Sequence, residues 1–210
     1  MQNKGTFIVF EGIDGCGKST QIMKFVEHLS KLSKYNHILL TRNPYKARET
    51  REILKINDAP ESQAEKLAEL FVNDRIEQTK EIILPHLEKG HYVVSDRYKL
   101  STIAYQSAQG MPVEKLKQMH EGMPIPDITF IVDVPAEIGG ERMDKDNRDK
   151  HRLKASTEFQ EKVRQKYLES VKHLPDEKIF IIDGTKSVEE IHKQITEEFE
   201  KLNILKDIKC

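Results

Sequence analysis

The chain has 210 residues, enough for one α/β domain with its own core, so neither disulfides nor a structural metal are needed to hold it. Its 34 basic and 35 acidic residues leave a net charge of −1, which argues against a dedicated nucleic-acid binder. The two cysteines, Cys16 and Cys210, lack CxxC spacing, and the eight histidines form no HxxxH or His/Cys cluster, which argues against a disulfide framework or a protein-only metal site.

Along the chain, Thr6–Phe10 reads as a buried strand, led into without a signal-peptide layout. It ends in Gly12-Ile13-Asp14-Gly15-Cys16-Gly17-Lys18-Ser19, and the spacing of Ile22, Met23, Phe25, Val26 and Leu29 then predicts an amphipathic helix over Ser19–Leu32. His37–Thr41 is a second strand. A helix follows over Lys46–Ile56, broken by Asp58-Ala59-Pro60. Ser62–Leu84 is a long helical stretch that Pro85 should kink or end. Tyr92–Ser95 is a third strand, followed directly by Asp96, and Leu100–Gln109 is a helix stopped by Gly110. Ile128–Val134 and Ile179–Ile182 complete five strands, with helical pattern at Pro135–Met143, Ser156–Leu174 and Val188–Leu202. This alternation predicts a three-layer α/β fold: a five-stranded parallel sheet with helices on both faces and the glycine-rich strand central, in a single domain over residues 1–210. The charged stretch Glu141–Lys154 follows Gly139 and Gly140 and reads as a solvated segment or as a lid over a phosphate site. No apolar run reaches the ~18 residues of a membrane span, so a cytoplasmic protein without a membrane partner is expected.

Gly12–Ser19 matches the P-loop GxxxxGK[ST] between a strand and a helix. Its glycines let backbone N–H groups turn inward toward phosphates, and the following helix points its positive end at the same anion. Lys18 is placed for the β- and γ-phosphates and Ser19 for Mg²⁺; Gly12 through Ser19 with Thr20 form the expected ATP-binding segment. Asp96, at a strand end, is the acidic partner for Mg²⁺ and also reads as a helix N-cap; Asp133 ranks lower because Pro135 follows closely. Arginines at element ends, Arg42, Arg75, Arg97, Arg142, Arg148 and Arg152, suggest a second phosphorylated substrate.

Phe10 to Gln21, the block Asp96-Arg97-Tyr98-Lys99-Leu100-Ser101-Thr102-Ile103-Ala104-Tyr105-Gln106, the pair Phe71/Arg75 and Pro126-Asp127 together resemble the thymidylate kinases. The resemblance implies a P-loop kinase fold with a short lid at about residues 141–155, a homodimer, and transfer of the ATP γ-phosphate to dTMP with Mg²⁺. In that family Phe71 would stack on thymine, Arg75 would meet its carbonyl edge, Arg97 would bind the dTMP phosphate and Asp14 the 3′-hydroxyl. Ser101, Tyr105 and Gln106 would line the nucleoside pocket, with Tyr105 crowding the 2′ position. Arg42 and Lys46 would reach the acceptor phosphate, with Arg48 as a substitute, while Arg142 would stack on adenine beside Asp183–Lys186. Because the P-loop carries Gly15 where some members have arginine, the lid would supply the catalytic charge through Arg148 or Arg152. The segment Thr41–Lys46 departs from the family's Arg-Glu-Pro or Arg-Phe-Pro by having Asn43. That departure keeps open a kinase for another acceptor, such as dUMP, dGMP or a nucleoside; a non-catalytic nucleotide-dependent switch is a further alternative.

Overall fold

The computed structural model describes residues 4–46, 63–145 and 157–201. Five strands, β1 (Thr6–Glu11), β2 (Ile38–Arg42), β3 (Tyr92–Asp96), β4 (Ile128–Asp133) and β5 (Ile179–Asp183), form one parallel sheet in the order β2-β3-β1-β4-β5. The expected central position of the P-loop strand is therefore observed. Every strand is an apolar run closed by a charged residue: Glu11, Arg42, Asp96, Asp133 and Asp183. Parallel pairing puts all five charges at the carboxyl edge, in register Arg42 with Asp96 and Asp133 with Asp183. The chain leaves β1 toward β2 on one side and later adds β4 on the other. This reversal opens the crevice where ligands of doubly wound sheets bind.

The two faces of the sheet bury different helices. Ile8 and Phe10 of β1 and Phe130 of β4 pack with Phe25 and Leu29 of α1 (Lys18–Leu32). Each fully buried Phe of this layer contributes about 1.5–3 kcal/mol relative to an exposed one. Met23 departs from the expected apolar stripe and is 59% exposed; the buried stripe of α1 runs through Ile22, Phe25 and Leu29. The opposite face meets α4 (Lys99–Ala108) and α7 (Thr157–Ser170), through Leu100, Ala104, Val163 and Tyr167.

The long helical stretch runs further than the sequence suggests. α2 (Ala64–Gln78) passes into a π-helical turn at Thr79–Ile83 and then α3 (Leu84–Glu88). Pro85 sits in the first turn of α3, and the Leu84 N–H bonds the Thr79 carbonyl. The wider turn supplies the offset that lets helix continue through a residue without an N–H. α5 (Val113–Gln118) is an additional short helix, and α6 (Ala136–Lys145) and α8 (Val188–Lys201) complete the chain order. Beyond Lys46, the helix expected to Ile56 lies outside the described residues, as do Arg48, Arg148 and Arg152.

Candidate active site

The P-loop takes the shape its glycines permit. Gly12, Gly15 and Gly17 have φ of 135°, 75° and 98°, conformations that side-chain-bearing residues rarely adopt. α1 starts after Gly17 with no side-chain cap and no acidic residue in its first turn, which leaves its positive end to an external anion. Lys18 Nζ is buried and donates to the Gly12 and Ile13 carbonyls at 2.9 and 2.8 Å, and to Cys16 Sγ at 3.4 Å. Ser19 and Thr20 are exposed at the start of α1. A β-carbon at Gly15 would lie 2.0 Å from the Gly139 carbonyl oxygen, so α6 packs directly on the loop's backbone.

Arg97 stands beside this loop with φ 71°, the one positive φ of a non-glycine among the described residues. Two backbone contacts hold it there: its N–H donates to the Phe10 carbonyl at 2.9 Å, and its carbonyl accepts from Ser95 Oγ at 2.7 Å. The guanidinium then turns back toward the P-loop. Nη2 pairs with Asp14 at 2.6 Å and reaches Tyr105 Oη at 3.4 Å, while Nη1 donates to Ser101 Oγ and Tyr167 Oη at 3.1 Å each. Burial alone would lower the Arg97 pKa, but Tyr105, Tyr167, Asp14 and Glu11 outweigh it and hold the group well above its ordinary value. Burial, with Asp14 adding to it, pushes the Tyr105 phenol up to about 12, so this hydroxyl is neutral near pH 7.

Under Arg97 lies a fully buried carboxyl, Glu11, at the end of β1. It accepts from the N–H groups of Tyr98 and Ser101 at 2.8 and 3.2 Å, from Ser101 Oγ at 2.5 Å and from Tyr167 Oη at 3.1 Å. An acidic group at the N-terminus of α4 thus fixes the helix that carries Ser101 and Tyr105. Burial raises the Glu11 pKa above its usual 4.5. The folded chain therefore holds that proton more tightly than the unfolded one. Stability from this group falls as pH rises from the ordinary glutamate range through the raised native value. Urea unfolding as a function of pH should show this loss in the native chain and a flatter profile in Glu11→Gln; identical slopes would rule Glu11 out as the source.

At the end of β3, Asp96 Oδ2 accepts from Arg42 Nε and Nη2, both at 2.9 Å. Its other oxygen, Oδ1, is buried without a partner among the described residues. Such an atom at a strand end beside the P-loop suits a metal-bound water, so Asp96 and the exposed Ser19 hydroxyl fit Mg²⁺. Asp133 is instead engaged by Arg164, through Nε at 2.6 Å and Nη2 at 2.9 Å. That bidentate clamp explains why Asp133 is the weaker metal candidate.

A second cluster surrounds Arg75 on α2, 1% exposed. Nε donates to Asn43 Oδ1 at 2.8 Å, Nη2 to Thr102 Oγ1 at 3.1 Å, and Nη1 lies 2.7 Å from His120 Nε2. Asn43 in turn donates to Gln78 Oε1, and Gln78 donates to Thr41 Oγ1 and the Arg42 carbonyl. The Asn43 side chain thus serves Arg75 rather than a phosphate. Phe71, one turn before Arg75, is partly exposed. Gln106 is buried, its Nε2 bonded to Gln109 and its Oε1 unpartnered among the described residues. Lys46 is drawn aside, its Nζ on Glu81 at 2.5 Å and its N–H on Asp74 Oδ1 at 2.5 Å.

With this geometry in hand, a family model described as thymidylate kinase matches residues 10–195. The thymidylate kinase of Kosmotoga olearia is 37% identical over 198 residues, covering 92% of this chain and 94% of the relative. That of Thermosipho africanus is 39% identical over 202 residues, with coverage of 93% and 98%. A probable thymidylate kinase of Pyrococcus abyssi is 36% identical over 198 residues, covering 91% and 94%. The chain belongs to the thymidylate kinase family. It is accordingly a phosphotransferase of the nucleoside monophosphate kinase group.

Against the family pattern, the fold brings together Asp14, Arg97, Ser101 and Tyr105 in one contact network, and Arg42 with Asp96 in another. Arg142 of α6 reaches the Cys16 carbonyl at 3.4 Å and the Gly184 carbonyl at 3.0 Å, so it bridges the P-loop and the loop after β5. Three residues of this candidate site are singled out by no sequence motif: Glu11, Tyr167 and His120. Each lies 45 or more residues from the side chain it serves, so local spacing gives no hint of the pairing. For Glu11 one signal existed, a carboxylate at the end of an otherwise apolar strand.

Proposed function

We propose that this enzyme transfers the γ-phosphoryl group of ATP to dTMP, giving dTDP and ADP. The observation that carries this reading is Arg97, held in a strained backbone conformation between Asp14 of the P-loop and Ser101 and Tyr105 of α4. An acceptor phosphate competes for the Arg97 guanidinium, and its arrival releases Asp14 to accept from the deoxyribose 3′-hydroxyl. Tyr105 lines the same pocket and opposes a 2′-hydroxyl, while Phe71 and Arg75 meet the base. Lys18 gives up the Gly12 and Ile13 carbonyls for the β- and γ-phosphates. Ser19 and, through water, Asp96 would hold Mg²⁺, which would offset phosphate charge.

The acceptor oxygen then lies in line with the γ-phosphorus, and Lys18 and Arg97 stabilise the charge spread over the transferring group. Gly12 through Thr20 and Arg142 hold the nucleotide, and either Arg148 or Arg152 supplies the remaining positive charge. The chain acts as one cytoplasmic domain and as a homodimer. Ile76 and Leu84, exposed apolar side chains on the α2–α3 stretch, suit a second copy.

Purified protein with ATP and Mg²⁺, supplied in turn with dTMP, dUMP and dGMP in a coupled assay, tests the proposal. The highest kcat/KM is expected for dTMP. Turnover of another monophosphate with none of dTMP would replace it, and tight nucleotide binding without any transfer would favour a switch.

A further inference from the structure

We propose that His120 is a positioning residue: as a neutral imidazole it aims the Arg75 guanidinium at the acceptor base and so sets acceptor affinity. The inference rests on the acceptor reading above, because Arg75 matters to turnover only if it meets the base.

The geometry fixes the tautomer. His120 is 5% exposed, just beyond α5, and its Nδ1 lies 2.7 Å from the Leu116 carbonyl oxygen. A carbonyl oxygen can only accept, so Nδ1 carries the proton. Nε2 is then a lone pair, and it faces Arg75 Nη1 at 2.7 Å, which can only donate. Asn43 Oδ1 and Thr102 Oγ1 take the other two edges of the guanidinium. The three contacts come from the loop after β2, from α4 and from the segment after α5, and together they fix the plane of a planar fork.

All three acceptors on Arg75 are neutral groups. Among the described residues Arg75 is therefore oriented without a carboxylate bound to its guanidinium, which leaves its positive charge for the acceptor. A protonated His120 would place a second cation against Arg75. Burial and the charges of Arg75 and Lys99 act against that form and lower the His120 pKa to about 3, although the Leu116 carbonyl contact partly offsets them. Among the described residues, the charged groups that act on His120 are Arg75 on α2 and Lys99 on α4, both cationic. The contact consequently stays in one protonation state over the working range of pH. Removing it frees the Arg75 fork to rotate, which weakens a base contact made alike before and during transfer. Such a loss appears in KM for the acceptor rather than in kcat.

Two measurements test this. First, steady-state kinetics compare the native chain with His120→Leu, which fills the space without an acceptor, and His120→Gln, which offers an amide oxygen. His120→Leu is expected to raise KM for dTMP roughly 10- to 100-fold, with kcat and KM for ATP within about twofold of native. His120→Gln is expected to recover most of that loss. An unchanged KM for dTMP in His120→Leu, or equal effects on the ATP side, would overturn the assignment.

Second, nitrogen-15 NMR of histidine-labelled native protein reads the tautomer without any substitution, and so is independent of variant folding. A neutral Nδ1–H form between about pH 5 and 8 is expected. An Nε2–H form, or titration near the ordinary histidine value, overturns the inference. If native enzyme turns over a different monophosphate, the acceptor reading fails while the NMR result stands, and the kinetic comparison is made on that acceptor.

Discussion

Arg97→Met is expected to lower kcat/KM for dTMP by about 100- to 1,000-fold, with most of the loss in kcat. Methionine keeps the aliphatic stem but removes the fork that bridges Asp14, Ser101, Tyr105 and Tyr167. The size follows from what one preorganised donor aimed at developing phosphoryl charge is worth, roughly 2.7–4 kcal/mol. Preorganisation here is explicit in the backbone, since the positive φ of Arg97 is sustained by contacts to Phe10 and Ser95 within the protein itself. Kinetics on dTMP, run beside thermal unfolding, separate the chemical loss from a loss of fold. A variant that melts like native yet keeps more than about a tenth of the activity would remove Arg97 from the transfer step.

Gly15→Ala should damage the protein before any question of catalysis arises, and Gly15→Arg should do so equally. Position 15 has φ 75°, and an added β-carbon would sit 2.0 Å from the Gly139 carbonyl oxygen and 2.7 Å from its carbon. Those are backbone atoms of α6, so no side-chain rotation relieves them. The contact forces the P-loop and α6 apart, at a cost of about 2–4 kcal/mol for strain and clash together. Urea denaturation gives the stability loss, and ATP titration should show weakened binding in whatever folds. An arginine that some members of the family carry at this place cannot simply be grafted here. A stable, fully active Gly15→Arg would show that the α6 contact yields easily.

The outline of the fold was legible because it rests on local signals. Five apolar runs, each followed within a few residues by a helical period, require a parallel sheet, and the GxxxxGKS spacing marks the phosphate loop without knowledge of any distant contact. Asp96 and Arg97 were legible for the same reason, as a charged pair closing an apolar strand. The support beneath them was not. Glu11 serves Ser101 across 90 residues and Tyr167 serves Glu11 across 156, and neither separation leaves a periodic trace. Asn43 is the sharpest case: read along the chain it is a missing carboxylate near an acceptor phosphate, whereas in space it is a partner of Arg75. At Pro85 a kink and an end were both open, and the π turn that carries the helix on escaped, because it is a backbone adjustment with no residue type of its own.

The run Thr41–Gln78–Asn43–Arg75–His120 is one connected chain of side-chain hydrogen bonds. Gln78, Asn43 and Arg75, all buried, each use one hydrogen-bonding edge toward one neighbour and another toward the next, so exchanging one of them alone strands a partner away from water. A lineage that trades Asn43 for an acid would set a full charge against Arg75 and shift the demand on Gln78 and His120 together. Substitutions at 43, 78 and 120 should therefore travel as a set among close relatives, and ancestral or chimeric sequences that mix them should lose acceptor affinity while keeping the P-loop intact.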